Sequence, residues 1–171
     1  MMKGREIILG ILKGGPHTGY EINDILQTRL NHFFDASFGM IYPTLKKLEA
    51  EKLVTKYQVT QSDKPNKNVY QITPAGEAVF LKALHEPTAD EVFKSDFLMR
   101  LYFGQDLPDE EVAQFLDEEI ARKTQKLLEL QSQLDFWISQ GMTKTQRITF
   151  DYGEAYYTAT LATLKAARSN F

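Results

Sequence analysis

Ser37, Met40, Tyr42, Thr44 and Lys47 share one stretch of the chain, Ala36–Leu53, which reads ASFGMIYPTLKKLEAEKL. Hydroxyls both donate and accept, an ammonium donates three ways, and a methyl or thioether lies well against a thymine methyl. This chemistry suits base edges and phosphates, not bond breaking. In the same stretch Ile41, Leu45 and Leu48 recur at 4 and 3, the period of one buried helix face, which leaves Lys46 and Lys47 on the polar side. Lys64, Lys67 and Asn68 follow at a polar turn, Gln61-Ser62-Asp63-Lys64-Pro65-Asn66, between two β-prone runs. A helix that enters a DNA groove, followed by a basic hairpin wing, has this order.

Residues for catalysis are not arranged for it. His17, His32 and His85 lie on different segments, with no HExxH and no carboxylate at ligand spacing. Gly10, Gly14 and Gly15 form neither GxGxxG nor a P-loop, and no serine–histidine pairing is recognisable. The acidic runs Asp109-Glu110-Glu111 and Asp117-Glu118-Glu119 read as helix-start charge and a solvated face. With no cysteine, thiolate nucleophiles and thiolate metal sites are excluded. The expectation is a protein that is not an enzyme and needs neither metal nor cofactor.

The 171-residue chain, 43% hydrophobic and 25% charged, has the composition of an ordered protein. Its formal net charge of -3 looks wrong for a nucleic-acid binder until it is divided along the sequence. Residues 1–86 hold 11 basic against 9 acidic side chains, whereas residues 87–171 hold 9 against 14. Counterion release needs a local basic surface, and 37–73 supplies one with 6 basic and 3 acidic residues. MMKGRE lacks the apolar run of a signal peptide, and no stretch approaches membrane-spanning length, so a cytoplasmic protein without a membrane partner is expected.

The elements that must position these groups follow from periodicity and caps. Glu6–Leu12 is dense in Ile and Leu and reads as a buried first helix, stopped by Gly14, Gly15 and Pro16. Thr18-Gly19-Tyr20-Glu21 has capping-box spacing and opens a second helix with Ile22, Ile25, Leu26 and Leu30 as its stripe, closed by Phe33 and Phe34. Tyr20, just inside that helix, is placed either to donate to a phosphate or to pack in the core. Asp35 or Ser37 caps the third helix, with Pro43 near its start. Leu53–Thr60 and Lys67–Thr73 read as strands, and Thr73-Pro74 opens a fourth helix. The fold class expected is mainly α with a small β-hairpin: a winged helix-turn-helix over 1–86 and a helical region over 87–171.

In that second region Thr88-Ala89-Asp90-Glu91 offers a capping box for an aromatic-rich helix running from Val92 to Phe103. Its aromatics exceed what one stripe of a lone helix buries, so they form either core or the wall of a pocket for an apolar or aromatic effector. Pro108–Ser139 carries Ala113, Leu116, Ile120, Lys123, Leu127, Leu130, Leu134 and Trp137 at alternating 3 and 4, a heptad seam broken once by Lys123. Ile148–Arg168 is a further helix, with Tyr152, Ala155, Tyr156, Ala159 and Ala162 on one face. Seams of this length must pack on something. Two antiparallel helices crossing their counterparts in a second copy would join two DNA-binding heads, as two-fold half-sites require; a helical hairpin in a monomer is the alternative.

At this point a family likeness is carried by ILGILKGGPHTGYEI (Ile8–Ile22), SFGMIYPTLKKLEAEKLV (Ser37–Val54), VYQITPAGEAVF (Val69–Phe80) and DFLMRLYFGQDLPDEEV (Asp96–Val112). The chain resembles the PadR family of bacterial transcriptional regulators, and the likeness spans essentially its full length. The resemblance implies a homodimer, mostly of repressor type, that binds a pseudo-palindromic operator in double-stranded DNA. It implies Tyr20 at the backbone-contacting start of the second helix, Ser37, Met40, Tyr42, Thr44 and Lys47 on or near the recognition helix, and the 60–68 hairpin as wing. In EAEKLV, Lys52 stands where such proteins commonly have glycine, and a lysine resists the left-handed backbone of a helix end. Long C-terminal helices bring the chain nearer the longer branch of the family, which includes the regulator that answers to phenolic acids. An aromatic acid between the two regions would then meet Phe97, Tyr102, Phe103, Trp137 and Tyr152 as walls, with Arg100, Lys123 or His17 as carboxylate partner. Other readings are a winged-helix protein-interaction module, or an activator with no small-molecule effector.

Overall fold

The computed structural model describes residues 1–34, 38–60 and 66–171, in two compact units, Met1–Asp90 and Glu91–Phe171. Among the described residues, the first unit holds helices α1 (Gly4–Lys13), α2 (Gly19–Ile25), α3 (Ile41–Ala50) and α4 (Pro74–Leu84). Its strands are β1 (His17–Thr18), β2 (Val54–Val59) and β3 (Lys67–Ile72). The antiparallel sheet has the order β1-β3-β2, with Val54 opposite Ile72 and Val59 opposite Lys67 in the hairpin.

The periodic residues make the core. Ile8, Leu9 and Leu12 of α1, Ile22 and Leu26 beside them, and Ile41, Leu45 and Leu48 of α3 are all buried in one cluster, which Val54 and Tyr70 close from the sheet. Burial of each such Leu or Ile contributes about 1.5–3 kcal/mol. Local chemistry marks the starts. Thr18 and Glu21 form the expected box: Glu21 N–H donates to the Thr18 hydroxyl at 3.2 Å, and Thr18 N–H donates to the Glu21 carboxylate at 2.7 Å. Thr73 caps α4, with Pro74 as its first residue. A π-helical turn, Leu26–Leu30, prolongs α2; beyond it Phe34 packs on the core, whereas Phe33 is exposed and meets His32 edge-to-face. The 3-10 turn Phe38–Met40 leads into α3, and the Asp35 and Ser37 candidates for its cap lie outside the described residues.

The end of α3 turns on Lys52. Lys52 N–H donates to Glu49 O at 3.0 Å and Leu53 N–H to Leu48 O at 2.9 Å, which is the Schellman arrangement, with Lys52 at φ 59°. A non-glycine residue therefore sits in the left-handed region the motif demands. Leu53 then turns inward beside Leu48, both buried.

The second unit holds α5 (Asp96–Tyr102), α6 (Asp109–Ser132), α7 (Leu134–Ser139) and α8 (Lys144–Arg168). Two features depart from the sequence reading. The box at Thr88 is not used: residues 87–95 carry no regular structure, and Ser95 caps α5 by accepting from Leu98 N–H at 3.2 Å. Val92 and Phe93 consequently lie outside the helix, exposed. The long heptad stretch is two helices. The Ser132 hydroxyl donates to Glu129 O (2.8 Å) and Gln133 N–H reaches back only three residues to Leu130 O, so the ladder breaks there. On α8, Phe150, Gly153, Tyr157 and Leu161 face its neighbours, while Tyr152, Ala155, Ala159 and Ala162 of the small-residue face look to solvent.

α6 and α8 run antiparallel, as cross-links along their length show: Arg168 to Asp117 at 2.8 Å, Lys123 to the Tyr156 hydroxyl at 3.2 Å, and Gln131 to Glu154 at 2.7 Å. At one end Trp137 packs edge-to-face on Phe150, centroids 6.2 Å apart, in a cluster with Leu130 and Tyr157.

Candidate functional site

α3 buries Ile41, Leu45 and Leu48, so the helix repeat turns Tyr42, Pro43, Lys46 and Lys47 outward. Thr44 and Met40 are half-buried at the margin of that face. Tyr42 is 49% exposed and its ring lies against α2: a Cβ on Gly19 would come within 2.8 Å of it. Glycine there lets the start of α2 approach α3, and Tyr20 beside it is 73% exposed. So exposed, Tyr20 can offer its hydroxyl outward.

The two-residue strand β1 had no signal in the sequence, since two residues carry no periodicity. It pairs His17 with Tyr70 and Thr18 with Val69, which ties the hairpin to the start of α2. Lys67 and Asn68 are exposed on β3. The Glu21 carboxyl is held below the ordinary range first by the hydrogen bond from Thr18 N–H, then by the Thr18 hydroxyl and by the charges of His17 and Lys67. Ser37 and Lys64 lie outside the described residues. Met40, Tyr42, Thr44, Lys47, Tyr20, Lys67 and Asn68 thus share one unit, with the first four on or beside one helix. The arrangement carries hydroxyls, an amide and ammonium groups on a projecting helix and a hairpin, suited to phosphate and base-edge contact.

Sequence reasoning passed over the other wall of this surface. Met40, Pro43, Thr44, Lys47 and Leu48 line a concavity of about 340 Å3 that is closed by Lys3, Gly4 and Arg5. The available signal was the pair of cations, Lys3 and Arg5, shortly ahead of the apolar run that begins at Ile7.

Within the second unit the effector candidates do not assemble into one cluster. In the second unit a pocket of about 250 Å3 brings together Phe97 and Lys123, with Phe93, Tyr156, Thr160 and Leu164. Lys123 donates to the Tyr156 hydroxyl, lies 4.9 Å from that ring's centroid, and pairs with Glu119 at 3.5 Å. Arg100 is held by Asp96 at 2.7 Å, which raises its pKa, and lines a separate open hollow with Phe97 and Glu118. Tyr102 and Phe103 are 80% and 66% exposed and stack edge-to-face on each other. Trp137 belongs to the helical core, Tyr152 is exposed, and His17 lies in the first unit beside Glu21. Tyr156 and Thr160 of the pocket went unmarked as its lining, although their spacing of four on α8 matches that of Glu119 and Lys123 on α6. Among the described residues no group of His, Cys, Asp and Glu is placed to hold a metal ion, and no helix is long and apolar enough to cross a membrane.

Residues 8–82 match the model of the transcriptional regulator PadR-like family, and residues 93–170 match the virulence activator alpha C-term model. The negative transcriptional regulator PadR of Bacillus subtilis (strain 168) is 32% identical over 126 residues, covering 72% of this chain and 69% of that protein. Among solved structures, smu.1604c from Streptococcus mutans UA159 is 47% identical with a TM-score of 0.90, over 98% of this chain and 99% of that one. The PadR-like transcriptional regulator BC1756 from Bacillus cereus is 37% identical with a TM-score of 0.90, over 98% and 97%. Bacillus subtilis PadR in complex with operator DNA has a TM-score of 0.81 at 23% identity over 96% and 97% of the two chains. The same protein in complex with p-coumaric acid has a TM-score of 0.73 at 22% identity, over 96% of each. These last two likenesses are of fold.

Proposed function

Because the chain belongs to the PadR-like family of transcriptional regulators, we propose that it is a dimeric repressor, released from a pseudo-palindromic operator by a small aromatic effector such as a phenolic acid. The observation that carries the reading is the outward face of α3, where Tyr42, Lys46 and Lys47 stand clear of a core that fixes the helix through Ile41, Leu45 and Leu48. On this reading Tyr42, Thr44 and Met40 meet bases or the adjacent sugars, Lys47, Lys67 and Tyr20 hold phosphate, and Asn68 works from the wing. Ser37 and Lys64 complete the set. The first unit is the DNA-binding domain and the second the dimerisation and sensing domain. Lysines outnumber arginines here, so backbone and methyl contacts carry more of the recognition than bidentate guanine contacts.

The effector reading rests on the pocket of about 250 Å3 beside α5, whose aromatic and aliphatic lining would take one ring. Phe97 is a wall and Lys123 the carboxylate partner, exchanging its Glu119 contact for the ligand. Arg100, Tyr102, Phe103, Trp137, Tyr152 and His17 act there only if the liganded form gathers them. Release requires that the acid bind the form unable to hold DNA more tightly than the competent form, and this difference in affinity sets the extent of derepression.

A duplex enriched by this chain from a random pool provides the test. We expect preference for an inverted repeat over mixed-sequence DNA, a steep fall in affinity with salt, and loss of binding when p-coumaric acid is added. Absence of any duplex preference at low salt overturns the repressor reading; unchanged affinity across a set of aromatic acids overturns the effector. The match of 93–170 to the virulence activator model favours a second reading, activation by the same DNA-binding head. Deleting the gene and following transcripts beside the enriched site separates them: transcripts rise if the protein represses and fall if it activates.

A further inference from the structure

The exposed surface of α3 has two edges, and the hairpin wing serves one of them. Along the first, Tyr42, Lys46 and Glu49 recur at 4 and 3; Tyr42 rests on Gly19 of α2, and Glu49 pairs with Lys56 of β2 at 3.4 Å. Along the second, Pro43 and Lys47 face Lys3, Gly4 and Arg5 across the concavity of about 340 Å3. Resting on the operator-binding reading, we propose that Lys3, with Arg5 beside it, is a second phosphate-holding flank that grips the DNA strand on the side of α3 away from the wing.

Charge supports this. Among the described residues the ammonium groups of Lys3 and Lys47 make no ion pair, whereas Arg5 is shared between Glu6 at 3.4 Å and Glu51 at 2.8 Å. Lys3 N–H donates to the Glu6 carboxylate at 3.0 Å, which sets a negative charge in the first turn of α1 against the helix dipole, so the attraction must come from side chains. Position supports it too. Gly4 lies so close to the Met40 methyl that a Cβ would overlap it, which seats this segment at the entrance to α3. A helix lying in a major groove about 12 Å wide has phosphates of both strands at its flanks. A wing and the start of α2 answer one of those strands; Lys3 and Lys47 answer the other.

The test uses the full chain and a duplex enriched by it from a random pool. Lys3→Gln leaves an exposed side chain exposed, so its unfolding midpoint stays that of wild type. We expect it to weaken the enriched and the mixed-sequence duplex by the same several-fold factor. The slope of log affinity against log salt should shrink by about 0.9 per bound subunit, the value for one phosphate contact. A methylphosphonate at the flanking phosphate distinguishes contact from distant attraction: it weakens wild type but costs Lys3→Gln nothing further. Independent, additive losses overturn the contact. An unchanged slope in Lys3→Gln, with a reduced one in Lys47→Gln, overturns the flank and leaves the operator reading standing. A wild-type chain without duplex affinity overturns both.

Discussion

Lys52 adopts φ 59° to close α3, and nothing about a lysine favours that conformation. Its Cβ crowds the following carbonyl, at a cost of about 1–2 kcal/mol, while the two hydrogen bonds of the helix end hold it in place. Gly141 stands in the equivalent place after α7, at φ 82°, with Met142 N–H reaching Trp137 O at 3.0 Å. Lys52→Gly should therefore raise stability by about 0.5–1 kcal/mol once the glycine's greater unfolded-state freedom is counted. The expected readout is a higher urea midpoint with an unchanged slope, and a lower midpoint would contradict the strain. Glu21 gives a pH dependence of definite sign. Its folded carboxyl titrates below the ordinary range, so its contribution is complete above the unfolded carboxylate pKa and disappears as pH falls through the depressed folded value. NMR titration should find Glu21 lowered, and Glu21→Gln should flatten stability across that window; a normal Glu21 titration would refute the assignment.

Elements are fixed by the same means at larger scale. Helix α4 is seated on the α3–β2 turn through Thr73 and Gly76. The Thr73 hydroxyl accepts from Gly76 N–H at 3.1 Å and lies 2.9 Å from Lys52 O and 3.0 Å from Leu53 O. A Cβ on Gly76 would overlap the Leu53 carbonyl and press on Ile72. Thr73→Ala should cost about 1–2 kcal/mol through loss of the cap, and Gly76→Ala about 1–3 kcal/mol because a backbone carbonyl cannot move aside as a side chain can. Chemical unfolding of the two variants is the check, and wild-type stability in Gly76→Ala would mean the close approach is relieved in solution. The same elements show what the sequence made legible. Boxes and 3.6-residue periodicity announced α1 to α4, because those residues interact with chain neighbours a few positions away. The Thr88 box was misleading: Ser95 offers an equivalent cap directly before Asp96, and α5 begins there. The break at Gln133 depends on which donor reaches the Glu129 carbonyl, which a heptad pattern does not register. At the proposed interface, the helix-borne Tyr42 and Lys47 were readable from spacing, whereas Lys3 and Arg5 come to the Lys47 edge of α3 only by a tertiary contact.

Across the whole molecule, α8 has two usable faces. Phe150, Gly153, Tyr157 and Leu161 pack within the second unit. On the opposite side Ile148, Tyr152, Ala155, Ala159, Ala162 and Ala166 recur at alternating 4 and 3, all exposed, with Ile148 and Tyr152 at 66% and 65%. A continuous seam of small and apolar groups on a 25-residue helix is the kind of surface that a second helix covers closely. The proposed dimer places it against a second copy, and the sign of the consequence follows. Ala155→Glu adds a good helix former to an exposed position, so the monomer keeps its fold, but pairing would bury a carboxylate without a partner. Sedimentation should then show a monomer at concentrations where wild type is a dimer. Linking two half-site contacts multiplies affinity by roughly a hundredfold or more, so operator binding should fall by about that factor while the affinity of each head for a single half-site is kept. A variant that remains dimeric and binds the operator normally would place the pairing surface elsewhere. One that loses half-site affinity as well would mean that the substitution reaches the DNA-binding head itself.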